Sequence, residues 1–104
     1  MATETERYDL GVATLAAITG GTGGAVVESL KDIAPDVAEW IISFSYGDVM
    51  SRPGLDTRSR QLATVAALTA MGTAAPQLKV HIHGALNVGC QPSAVVEVIL
   101  QMVV

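Results

Sequence analysis

The stretch QLKVHIHGALNVGC, Gln77 to Cys90, holds a lysine, two histidines and the chain's only cysteine. Its reading as helix or strand decides both the fold and the chemistry. The leucines and alanines around the histidines argue helix, and Gly89 supplies the stop. On a helix of about 3.6 residues per turn, residues two apart point about 200° away from each other. His81 and His83 therefore face opposite sides and cannot hold one ion together. No third ligand lies three or four residues from either, so no metal site is expected.

The other long segments read the same way. ETERYDLGVATLAAIT (4–19) places Tyr8, Val12, Leu15 and Ile18 on an inner face. GGTGG (20–24) reads as a flexible turn, since no Gly-Lys-Ser/Thr follows it and no strand precedes it. AVVESLKDI (25–33) makes a short second helix. Pro35 suits the first turn of a third, DVAEWIISFSYGDVM, with Val37, Trp40, Ile41, Phe44 and Val49 inward. After SRPGLD, Asp56 or Thr57 caps TRSRQLATVAALTAM (57–71). That helix is apolar on nearly all sides beyond its first turn, so Leu62 to Met71 is expected to be buried along most of its length. Pro92 starts the last helix, SAVVEVILQMVV. The expected class is all-α, one domain over residues 1–104, with five or six helices and no strand.

Composition sets the bounds on function. Half of the 104 residues are apolar and 15% are charged, and mean hydropathy is +0.44. Such a chain is expected to place apolar surface against other subunits. Net charge is −4 with six basic residues, no basic stripe and few aromatics, which disfavours nucleic-acid binding. No charged start with an apolar run follows Met1, and the apolar stretches are too short for a membrane span. A lone cysteine cannot form an internal disulfide, which fits a cytoplasmic protein.

The two remaining chemistries of the opening stretch differ in support. Thiol redox catalysis uses an attacking and a resolving cysteine. Cys90 is alone and follows a helix C-terminus, where the dipole disfavours a thiolate. It reads as a small hydrophobe at a turn. His81 has Gln77 and Ala85 on its own face. It is either a satisfied structural histidine or an acid/base group, and residues alone leave both open.

From Phe44 onward the chain resembles the carboxymuconolactone decarboxylase family. The resemblance is carried by FSYGDVMSRPGL, TRSRQLATVAALTAMG, QLKVHIHGALNVG and EVILQ, with aromatic-Gly-Asp, Arg-Pro-Gly-Leu and His-x3-Ala-x3-Gly in order. It implies the alkylhydroperoxidase D-like helical bundle, assembled as a homo-oligomer of trimer or hexamer type. Thiol peroxidases of that superfamily carry a glutamate and then Cys-x-x-Cys-x-x-x-His. With the histidine at His81, the cysteines fall on Ala74 and Gln77, and the glutamate near Gln61 or Leu62. Both sulfurs and the carboxylate are missing, so the peroxidase mechanism is not supported even where that superfamily label applies.

The decarboxylase branch retains the histidine, which the resemblance makes a functional candidate at His81. Arg52, Arg60 and Glu97 match decarboxylase positions and become candidate substrate-binding residues. His83 stands where relatives of the true decarboxylase tend to have arginine. The resemblance also implies a Tyr-x-Gly-x-Pro segment after the last helix. The family reaction turns 4-carboxymuconolactone into 3-oxoadipate enol-lactone and carbon dioxide, in aromatic-acid catabolism. The lactone carbonyl is the electron sink, so no cofactor is expected. Each arginine has a second reading: Arg52 pinning its turn, Arg60 pairing with an acid. His81 is expected in a cleft near Arg52 or Arg60, with His83 pointing elsewhere. The competing readings are a family member of other chemistry and a non-catalytic helical assembly.

Overall fold

The computed structural model describes residues 1–104. It is all-α: α1 (Glu4–Thr19), α2 (Gly21–Leu30), α3 (Pro35–Trp40), a π-helical segment (Ile41–Met50), α4 (Thr57–Met71), α5 (Ala75–Asn87) and α6 (Pro92–Gln101). These elements fall into two units, Met1–Gly54 and Leu55–Val104, taken in turn.

In the first unit, Thr3 opens α1 through a capping box with Glu6, which satisfies two otherwise orphaned amide donors. The expected turn at GGTGG is instead a one-residue break. Gly20 alone leaves the helix, at φ +62°, and α2 begins at Gly21. The link is made by buried Thr19, whose hydroxyl donates to the Leu15 carbonyl (2.7 Å) and accepts from the Gly23 amide (3.1 Å). A Cβ on Gly23 would collide with that hydroxyl, so this glycine allows a close contact rather than flexibility.

The inner face after Pro35 also differs from expectation. Trp40 and Phe44 are 63% and 58% exposed, and Val37 is exposed too, whereas Ala38, Ile42, Ser43, Tyr46 and Gly47 are buried. The cause is how closely the π-helical segment lies on α1. A Cβ on Gly11 would overlap the Ile42 carbonyl, and one on Gly47 would stand 2.5 Å from the Arg7 carbonyl. No side chain fits at Gly11 or Gly47, and Trp40 and Phe44 face outward. On α1, Gly11 joins Leu15 and Ile18 inside, and Val12 is exposed. Across this contact Arg7 holds Asp48 in an ion pair.

In the second unit, α4 packs on α5 and α6. Asp56 caps α4, accepting from the Ser59 amide. The core is Val65, Ala85, Cys90 and Val95, surrounded by Leu62, Leu78, Ile82, Val88, Val98 and Ile99. Burying a valine such as Val65 contributes roughly 1.5–3 kcal/mol. The expectation that α4 is buried along most of its length does not hold in the single chain. Only Gln61 and Val65 are buried, while Ala63, Ala67, Ala70 and Met71 are exposed. Its neighbours in the unit cover one side, and the alanines occupy the other.

Candidate functional site

His81 sits mid-way along α5, half-buried, whereas His83 is exposed. The two lie on different helix faces, as a spacing of two requires. The His81 Nδ1 is 3.1 Å from the Oε1 of Gln61 on α4. Gln61 is 0% exposed. It stands one turn before Val65, so its amide enters the unit on the innermost face of the helix. A buried amide is costly unless it is hydrogen-bonded, and the imidazole supplies a partner.

With the amide oxygen toward the ring, Nδ1–H donates and Nε2 keeps its lone pair. Burial lowers the His81 pKa below the ordinary imidazole value, because desolvation disfavours the charged form. Burial therefore favours the neutral ring. It can take up a proton and return it, which is the property a proton carrier needs.

The other candidate residues are placed as follows. Arg60 precedes Gln61 on α4 and is half-buried; its Nε donates to the Leu55 carbonyl at 3.0 Å. Arg52 belongs to the first unit, exposed, with its amide closing a turn onto the Val49 carbonyl at 3.1 Å. Glu97 is exposed on α6. The structure thus brings His81 to Gln61, while the Arg60 guanidinium reaches back to the start of its own helix.

Two partners were not legible beforehand. The sequence places Gln61 only near the superfamily's glutamate position; a polar residue at the start of an otherwise apolar helical run is the available signal. Arg58 had no signal. Its Nε donates to the Val88 carbonyl (3.2 Å), its guanidinium lies over Gly89, and its own carbonyl faces the Cys90 sulfur at 3.7 Å. It clamps the turn between α5 and α6. Cys90 is buried there and free, one of the core residues of the unit. No group of three His, Cys, Asp or Glu side chains converges as a metal site would. An open groove of about 440 Å³ in the first unit is lined by Tyr8, Val27, Lys31, Pro35, Ala38, Glu39 and Ile42. It contains none of the candidate residues.

Residues 35–104 match the model of the carboxymuconolactone decarboxylase family. The chain belongs to that family. It is 36% identical over 74 residues to the 4-carboxymuconolactone decarboxylase of Acinetobacter baylyi, a match covering 71% of this chain and 54% of the relative. It is also 30% identical over 77 residues to an uncharacterised 15.0 kDa protein from the nqo9–nqo10 intergenic region of Paracoccus denitrificans, covering 73% of this chain and 58% of that protein. The chain spans just over half the length of these curated relatives. The matched region includes both Gln61 and His81, whereas the groove straddles its start, with Tyr8, Val27 and Lys31 outside it. The family's aromatic-Gly-Asp signature has a structural account here: Tyr46 is buried, Gly47 admits the α1 backbone, and Asp48 binds Arg7.

Proposed function

We propose that this chain is a cofactor-independent decarboxylase of 4-carboxymuconolactone or a closely related lactone carboxylate, working as a homo-oligomer in the cytoplasm. The observation that carries the reading is the half-buried His81 held by Gln61 within the family-matched region, where burial favours the neutral ring. The name of the Acinetobacter relative supports that substrate class.

The chemistry follows from the substrate. As the carboxylate leaves as carbon dioxide, its bonding pair runs through the conjugated double bond into the lactone carbonyl. A dienolate forms, and a proton added to a ring carbon gives the enol-lactone. One proton is consumed per turnover. His81 starts neutral, and an anionic substrate beside it favours the imidazolium. Binding thus charges the acid that the second step spends. Arg52 and Arg60 are assigned to the substrate carboxylates, since guanidinium matches a carboxylate in a fixed fork. Arg60 reaches them by exchanging its Leu55 carbonyl contact for substrate. Glu97 is assigned to substrate positioning through its match to the decarboxylase pattern.

A thermal-shift screen with lactone dicarboxylates and unrelated small acids, followed by carbon dioxide release assays, tests the reading. Stabilisation by the lactones with turnover supports it. Stabilisation only by unrelated acids, or by nothing, contradicts it.

A further inference from the structure

We infer that Gln61 is a positioning residue: its side-chain carbonyl holds His81 as the Nδ1–H tautomer, leaving Nε2 as the atom that exchanges a proton with substrate. What the proton does rests on the proposed reaction; where it sits does not.

The geometry carries the argument. The Gln61 side chain is wholly buried, on the same helix face as Val65, which is itself fully buried in the core of the unit. It cannot swing to water without leaving the core, and the atom it turns to the ring is its carbonyl oxygen, an acceptor 3.1 Å from Nδ1. A neutral imidazole has one donor nitrogen and one acceptor nitrogen. Fixing the first therefore determines the second. The ring is doubly constrained, by the helix that carries it and by this hydrogen bond.

An amide also orients without adding charge. A carboxylate in that place would attract a proton onto the ring at rest, whereas the amide leaves it neutral. The charged side chains on the elements around the ring are Arg58 and Arg60 on α4, Lys79 and His83 on α5, and Glu97 on α6. Arg58 and Arg60 donate to the Val88 and Leu55 carbonyls. Lys79, His83 and Glu97 are exposed. Burial alone accounts for the direction in which the ring's affinity for a proton moves. Gln61 thus makes proton uptake a consequence of binding an anion.

The test is nitrogen-15 NMR of the imidazole in the full chain, with Gln61→Leu and Gln61→Glu alongside. In the wild type above its titration point, His81 should carry its proton on Nδ1. Gln61→Leu should populate both tautomers. Gln61→Glu should raise the His81 pKa by about one to three units, the usual effect of an adjacent opposite charge, and shift the pH profile of kcat/KM with it. An Nε2–H tautomer in the wild type, or an unchanged ring in a folded Gln61→Leu, overturns the inference. If Gln61→Leu does not fold, the wild-type tautomer and the Gln61→Glu titration decide it. The Nδ1–H state without turnover of any lactone would leave this inference standing and remove the reaction; turnover with an Nε2–H ring would do the reverse.

Discussion

Arg7 on α1 forks onto Asp48 near the end of the π-helical segment, with Nε 2.9 Å from Oδ1 and Nη2 2.6 Å from Oδ2. The pair ties the ends of two helices whose backbones already touch through Gly47. Arg7, chiefly through its hydrogen bonds, lowers the Asp48 pKa. The folded value therefore lies below the unfolded one of about 3.9. Stability from the pair is fully present above the unfolded value and is lost as pH falls through the folded one. Arg7→Ala should lower Tm near neutral pH. The gap from wild type should close on acidification and narrow in high salt, because both groups are about one-third exposed and screened. Thermal melts across pH check this; a gap that widens in acid contradicts it.

Gly11 is the tighter constraint in the same contact. A Cβ there meets the Ile42 carbonyl, which is backbone and cannot rotate aside. Gly11→Ala should destabilise by about 1–3 kcal/mol, the usual cost of overpacking, whereas Gly24→Ala, with open space around it, should not. Urea denaturation of both variants makes the comparison.

These two positions show what the sequence could and could not reveal. The helices were legible because Pro35, Asp56 and Pro92 are local signals of helix starts, and each acts where expected. The buried face of α1 was legible at Leu15 and Ile18 but not at Gly11, and that of the π-helical segment was not. Hydrophobic periodicity assumes that large apolar residues define the inside, but a close backbone contact is defined by glycine and alanine. Trp40 and Phe44 were placed inward for that reason. At the candidate site, the spacing of His81 and His83 separated them correctly. The partner at Gln61 depends on which turn of α4 lies beside α5, and nothing local encodes that.

Cys90 should be dispensable. It is a buried core residue whose sulfur faces the Arg58 carbonyl, an acceptor that a serine hydroxyl can use. Cys90→Ser should keep turnover within about a few-fold, since a core group of similar volume is retained. Hydroperoxide reduction by the wild type that is lost in this variant would contradict the account.

Leu86, Val96 and Leu100 are 41%, 54% and 53% exposed on α5 and α6. Exposed apolar surface of this kind is characteristic of subunit contacts. Light scattering at micromolar concentration should give a multiple of the 10.8 kDa chain mass. A Val96→Lys, Leu100→Lys double variant should shift it toward the monomer. A monomeric wild type contradicts the proposed assembly.

The central claim is that His81 carries the proton of a decarboxylation, and steady-state turnover of 4-carboxymuconolactone tests it most directly. Wild type should release carbon dioxide. His81→Ala and His81→Gln should lower kcat by about 10²–10⁴-fold, the usual worth of a positioned acid or base, with smaller changes in KM. Arg52→Ala should act mainly on KM, and His83→Ala on neither. Turnover near wild type in folded His81 variants would contradict the account and return His81 to a structural role.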